Sequence, residues 1–180
     1  YGVMNVANDV TQQVLATQKL IETRIALSGA IELAELSTWS FCVKTREISY
    51  SERFREWLGL PHGKAMEEDF LELISEPHRY DVRQAIQVAV ETGSEGAFDI
   101  EFPLQNASSS QIRIIHAAAR VFYDNDGNAE YLSGTAQDVT KERKLQEELK
   151  FKVKERTSEL RKANNELEIN NQELQQFAYI

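Results

Sequence analysis

The residues able to ligate, attack or move protons are few and scattered. Three imidazoles, His62, His78 and His116, could bind a metal or act as acid and base. None has a second ligand at metal spacing, so no metal site is expected. His62 follows Leu60-Pro61 in a turn and reads as exposed. His78 falls in the first turn of a helix, also at the surface. His116 lies in a strand, where it faces either the sheet surface or a cavity, and the surface is the expectation. The single cysteine, Cys42, excludes an internal disulfide and a multi-cysteine metal centre and fits a reduced, cytoplasmic setting. In a strand it reads as a small packing residue. No glycine-rich phosphate loop is present, and no Ser-His-Asp arrangement follows from spacing alone. No catalytic residue is therefore expected in this chain. Two carboxylates stand out instead. Asp9 and Asp138 each sit in Asp-Val-Thr, where an alternating strand passes into a helical pattern.

The chemistry of those carboxylates is mechanical. At a strand end each can accept hydrogen bonds from the unpaired N–H groups of the next helical turn. Gln12 lies three residues after Asp9 and approximates a capping box; Lys141 takes that place in the second copy. An ordinary helix cap accounts for either site alone. The two stretches 2–11 and 132–140 repeat strand, Asp-Val-Thr and helix together. That repetition points to tandem copies of one domain, each passing a helix onward. Signal transmission would then fall to Asp138, Val139 and Thr140, with Asp9 and Thr11 as the counterparts in the earlier copy.

The elements between the two exits follow from period. The segment 11–36 favours helix, with Val14, Ile21, Leu27, Ile31 and Leu36 as a loose apolar stripe. From Trp39 the period becomes two: Trp39, Phe41 and Val43 alternate with Ser40, Cys42 and Lys44. A turn at 44–46 leads to a second strand at 47–51. A short helix follows and stops at Leu58-Gly59-Leu60-Pro61. Residues 66–75 and 78–92 read as two more helices, the second started by Pro77 and stopped by Gly93. Three strands close the domain at 98–104, 111–123 and 130–138, the last two joined by Asp124-Asn125-Asp126-Gly127-Asn128. The expected architecture is α+β: a five-stranded antiparallel sheet with short helices on one face, flanked by an N-terminal helix and a C-terminal rod.

Composition limits the partners. The 180 residues carry a formal net charge of -9 and 42% hydrophobic content, enough for one globular domain with extensions. No basic stripe is available for phosphates, which argues against nucleic acid and anionic membranes. No apolar run is long enough to span a bilayer, and there is no signal-peptide pattern. The chain starts without Met and ends in mid-pattern, which reads as a piece of something longer.

The order of elements and several local motifs resemble the PAS fold of bacterial sensors. The pieces are Ala34-Glu35-Leu36 with Thr38-Trp39, Ser51-Glu52, Leu58-Gly59-Leu60-Pro61, Val88 to Gly93, Phe98 to Phe102, Arg113 with Val121, the Asp126-Gly127 turn, and Gly134 through Thr140. The resemblance covers about residues 27–149. It departs at Glu76-Pro77-His78-Arg79, where the family often has His-Pro-Asp-Asp, and at Arg113-Ile114, where it often has Arg-Trp. The resemblance implies residues 1–11 as the terminal strand of a preceding PAS domain, 12–36 as a linker helix, 37–140 as the PAS domain and 141–180 as the outgoing helix. It also implies a pocket between sheet and helices for an unknown small ligand. The candidate lining is Phe54, Leu58, Phe70, Ile86, Phe98, Ile100, Phe102 and Ile114, each equally suited to plain core. No cofactor is assigned. The Asn-Cys-Arg-Phe motif of flavin photoreceptors is missing, and His78 at a helix start is a poor haem ligand.

The last forty residues are charged and free of proline. Val153, Leu160, Leu167 and Leu174 recur every seventh residue, the coiled-coil period. With these at position d, Thr157, Asn164, Asn171 and Ala178 occupy position a, which favours a parallel, in-register homodimer at some cost in stability. The alternative is one solvated helix. The ending Phe177-Ala178-Tyr179-Ile180 resembles the segment before the phosphoacceptor histidine of sensor histidine kinases. The resemblance implies a sensory, relay and dimerisation module. Its partners would be the phosphoacceptor and ATP-binding domains of the same chain and a separate response regulator. The alternatives are a ligand-independent spacer, or a sensor coupled to another output such as a diguanylate cyclase.

Overall fold

The computed structural model describes residues 11–60, 63–91 and 97–177. The chain divides into two compact units, Tyr1–Asp138 and Val139–Ile180. The first unit begins with α1 (Thr11–Leu33). It continues with β1 (Ser37–Cys42), β2 (Glu47–Tyr50), α2 (Glu52–Leu58), β3 (Lys64–Met66), α3 (Glu67–Glu72) and α4 (Glu76–Val90). It closes with β4 (Ala97–Gln105), β5 (Ile112–Tyr123) and β6 (Ala129–Asp138). The second unit holds one helix, α5 (Thr140–Phe177).

The strands form one sheet in the order β3-β2-β1-β6-β5-β4, with every neighbouring pair antiparallel. The sheet has six strands where the sequence suggests five. The sixth, β3, is three residues long and ends at Met66, where the sequence pattern places the start of a helix. A segment that short shows no period of its own. Its pairing with β2 creates it, Glu47 opposite Met66, helped by the Lys64–Glu47 ion pair at 2.6 Å.

Strand alternation sends one face of the sheet inward. Trp39, Phe41, Ile48, Phe98, Phe102, Leu104, Ile115 and Leu132 project onto α2, α3 and α4. Those helices return Phe54, Leu58, Phe70, Leu71, Val82, Ile86 and Ala89. Each large apolar side chain buried this way contributes on the order of 2 kcal/mol. Helix α2 ends where Gly59 adopts φ 70° and its N–H reaches Arg55 O. The last carbonyls of α2, Glu56 and Trp57, accept from Asn106 Nδ2 at 3.0 Å, so the β4–β5 loop seals that helix end. Helix α4 starts earlier than the sequence suggests, at Glu76, with Pro77 in its first turn. The expected stop at Gly93 lies outside the described residues.

One acidic residue is buried against expectation. Glu67, at the start of α3, is 2% exposed and forms an ion pair with Arg46 in the β1–β2 turn. Arg46 has φ 57°, and its carbonyl also accepts the Glu67 N–H at 2.9 Å. This clasp holds the first hairpin to α3. Helix α1, in contrast, leaves Val14, Leu15, Leu20, Ile25 and Leu33 exposed. Its C-terminal end is tied to α2 by Arg53, which donates to Glu32 at 2.6 Å and to Leu36 O at 2.7 Å.

The centre of the sheet is built from small residues. Gly134 of β6 stands opposite Trp39 on one side and Ala119 on the other. A Cβ there would lie 1.9 Å from Ala118 O and 2.5 Å from Ala119 Cα. Backbone cannot swing aside as a flexible side chain can. Gly134→Ala should therefore lower stability by about 3 kcal/mol or leave the domain unfolded. Urea denaturation followed by tryptophan fluorescence tests this; an unchanged midpoint would contradict the close approach.

Candidate functional site

Two features could carry function: the enclosed space under the sheet and the charged joint at the end of β6. The space is lined by Trp39, Phe41, Ile48, Phe54, Phe70, Val82, Ile86, Phe98, Phe102 and Ala117. Edge-to-face ring contacts brace it: Trp39–Phe98 at 5.4 Å, Phe54–Phe70 at 6.3 Å and Phe70–Phe102 at 6.1 Å. The Trp39 indole N–H is satisfied elsewhere, by Thr135 O at 3.0 Å. The cavity measures about 20 Å³. That is room for one water, and an all-apolar wall offers a water no partner. Sites for drug-sized ligands run to about 300–1,000 Å³. A ligand of that size would have to part the core.

Of the expected lining residues, Phe54, Phe70, Ile86, Phe98 and Phe102 meet at this cavity. Leu58 is fully buried but outside the lining, and Ile100 packs half-buried against the core. Ile114 lies on the opposite face of β5, because Ile115, fully buried, takes the inner position. Parity decides this, since a strand cannot send adjacent side chains the same way. The sequence reading left out Trp39, Phe41, Ile48, Val82 and Ala117 as lining. The alternation of Trp39 and Phe41 was the signal for two of them. Ala117 offers none, because its small side chain matters only for what surrounds it.

The joint lies on the same inner face. Asp138 pairs across β6–β5 with Ile115, and Arg113 is two residues further along β5. Arg113 Nε donates to Asp138 Oδ2 at 3.0 Å, with side chains 20% and 30% exposed. Among the described residues, the buried Arg113 Nη1 has no hydrogen-bond partner. Partial burial strengthens such a pair beyond a solvated one. Sequence reading placed function on Asp138 but gave Arg113 no part in it, because only the strand register brings the two together. Val139 O accepts from Arg143 N at 2.9 Å within the first turn of α5, and Thr140 begins that helix. Thr11 begins α1, and Asp9 lies outside the described residues.

The remaining polar candidates are spread out. His116 is on the outer face, its Nε2 2.9 Å from Asp99 Oδ1. His78 Nδ1 lies 2.9 Å from Ser75 Oγ at the start of α4. His62 lies outside the described residues. Cys42 is free and half-buried. The Thr45 hydroxyl, then the backbone around Thr45 and Lys44, hold its thiol below the ordinary range. Among the described residues no cluster of His, Cys, Asp or Glu could hold a metal, and no helix is long and apolar enough to cross a membrane. On α5, Val153, Leu160, Leu167 and Leu174 are all exposed.

Comparison with known proteins adds a family. The profile described as PAS fold matches residues 47–136. The sensor protein FixL of Bradyrhizobium diazoefficiens is 30% identical over 117 residues, covering 64% of this chain and 23% of FixL. The chain thus spans about a quarter of that relative. A sensory box histidine kinase/response regulator from Burkholderia thailandensis superposes with a TM-score of 0.60 at 20% identity, covering 72% of this chain and 95% of that one. The N-terminal domain of a diguanylate cyclase with a PAS/PAC sensor from Marinobacter aquaeolei gives 0.53 at 18%, covering 60% and 98%. Identities this low carry the fold alone.

Two measurements check the site's chemistry. In a double-mutant cycle, Arg113→Ala and Asp138→Ala should each cost about 1–2 kcal/mol, with a coupling of ~1 kcal/mol. Additivity within ~0.3 kcal/mol would mean that the pair contributes nothing. Separately, Thr45→Val removes the leading cause of the depressed Cys42 thiol. The pH midpoint for its alkylation by iodoacetamide should rise; an unmoved midpoint would remove Thr45 from that role.

Proposed function

We propose that this chain, which belongs to the PAS-fold family, is a sensory and relay module of a larger sensor histidine kinase. Residues 37–140 form the sensing domain, 12–36 link it to a preceding copy ending at residues 1–11, and 141–180 form the outgoing helix. The observation that carries the reading is the Arg113–Asp138 ion pair. It joins the inner face of the sheet to the last residue of β6, and α5 begins two residues later.

The proposed mechanism runs through covalent and packed neighbours. An event that repacks the aromatic wall shifts β5, which carries Ala117 in the wall and Arg113 in the ion pair. A shift of Arg113 changes the restraint on Asp138. Val139 and Thr140 pass the change to α5 as tilt or rotation. A signal acts this way only if it binds two arrangements of the domain unequally. Two copies pair through Val153, Leu160, Leu167 and Leu174. The moving helices then change access to a phosphoacceptor histidine further along the same chain. An ATP-binding domain phosphorylates that histidine, and a response regulator takes the phosphate. The setting is cytoplasmic. The 30% identity with FixL over 117 residues supports this output.

One observation favours a second reading. A closed apolar cavity of about 20 Å³ suits a ligand-independent relay that holds dimers together and passes on strain from a preceding domain. The two readings share the Asp138 joint and differ at the cavity.

The joint is tested in the whole parent protein. Asp138→Ala should abolish the dependence of autophosphorylation on the input while leaving the circular dichroism of the domain unchanged. Intact regulation would overturn transmission through Asp138. The cavity is tested by native against denaturing mass spectra of the purified chain. Extra mass lost on denaturation supports the sensor, and a dimer at bare polypeptide mass supports the relay.

A further inference from the structure

Helix α5 leaves eight large apolar residues open on its surface. Six of them, Leu145, Leu149, Val153, Leu160, Leu167 and Leu174, each at least 58% exposed, form one row, and Phe151 and Ile169 lie across the helix from it. The last four of the row follow the heptad. The first two do not. The spacings along the row are four, four, seven, seven and seven. At about 100° per residue on a helix of 3.6 residues per turn, all six fall within an arc of roughly 80°. The row closes in about eight turns at roughly 3.6 residues per turn, the period of a straight α-helix. A strict seven-residue repeat would impose a left-handed supercoil, and an eleven-residue repeat a right-handed one. This row averages between them.

Carrying the heptad back from Val153 would instead place Lys150 and Arg143 at position a and Gln146 at position d. A parallel pair would then bury facing lysines and facing arginines at its seam. Desolvated like charges cost far more than the leucines on the neighbouring arc would gain. Moving the seam to Leu145 and Leu149 turns both cations outward to water. Each leucine withdrawn from water there contributes about 2 kcal/mol.

We infer that α5 pairs with α5 of a second copy of this chain along the row Leu145, Leu149, Val153, Leu160, Leu167 and Leu174, as a nearly straight two-helix rod whose seam changes phase at Val153. This deepens the dimer proposed above and rests on that reading. The occupant is a second copy because of Asn164 and Asn171, which border the row. In a parallel, in-register pair each amide meets its own twin and can hydrogen-bond to it. An unrelated apolar surface would offer those amides no such partner, and Asn164 would keep only its long 3.4 Å bond to Glu168 Oε1. The phase change has a consequence for signalling. Only the first stretch, from Leu145 to Val153, leaves the heptad, and it is the part of the rod nearest Asp138 in sequence. The heptad further along is a separate set of layers. A rotation of the first stretch toward the heptad phase repacks Leu145 and Leu149 without breaking the leucines beyond.

Disulfide crosslinking of single-cysteine variants, made in the chain carrying Cys42→Ser, tests the seam. Leu160→Cys lies on the seam of either arrangement and serves as the reference. The expected result is crosslinking of Leu145→Cys and Leu149→Cys comparable to the reference, and at least fivefold less for Lys150→Cys. Strong crosslinking at Lys150→Cys and little at Leu145→Cys, with the reference intact, would overturn the phase change and leave the dimer standing. A reference that fails to crosslink, together with a monomer in sedimentation equilibrium, would overturn both.

Discussion

The whole domain depends on the central position of β6. This strand is paired on both sides, with β1 and with β5, and it closes the sheet between the first hairpin and the last. Its register is unforgiving. A slip of one residue would turn Leu132 and Ala136 outward and drive side chains into the space that only Gly134 leaves open. The same register puts Asp138 beside Ile115, and so within reach of Arg113. Packing, strand pairing and the charged joint are thus consequences of one alignment.

That alignment gives a physical basis for coupling. Strand β5 contributes Ala117 to the cavity wall and Arg113 to the ion pair, four residues apart on one face. Close-packed interiors transmit displacement because they have no slack to absorb it. A cavity of about 20 Å³ provides almost none. The compact wall therefore serves either version of the function. A ligand entering it must move the strands, and strain arriving through α1 meets a stiff body. Arg53 anchors the end of α1 to α2, so the junction of α1 with the domain is also a polar clasp.

The two helices at the ends of the chain show a different economy. Both α1 and α5 leave large apolar residues in the open. Isolated helices are marginal in water unless an apolar face is covered. In α5 the row from Leu145 to Leu174 keeps to one arc, the face proposed above to pair with a second copy. In α1 the apolar positions are spread around the axis, and no single face can be named from them.

The sequence by itself determined the element types, most of their limits and the family. Strand period, glycine and proline stops and the Asp-Val-Thr exit are local signals, and local backbone physics obeys them. It also singled out Asp138, because the strand, Asp-Val-Thr and helix recur together in two places, where a helix cap alone would account for either one. It left out four things that only the tertiary structure decided. The strand β3 exists through its partner β2. Ile114 and Ile115 divide between the two faces according to the register of β5. Glu67 is buried because Arg46, twenty-one positions earlier in the chain, turns back over it. Arg113 becomes the partner of Asp138 only when β5 and β6 align. Each of these is a pairing between residues distant in the chain. No window of sequence contains both partners, and the pairing is fixed by the packing of the whole sheet.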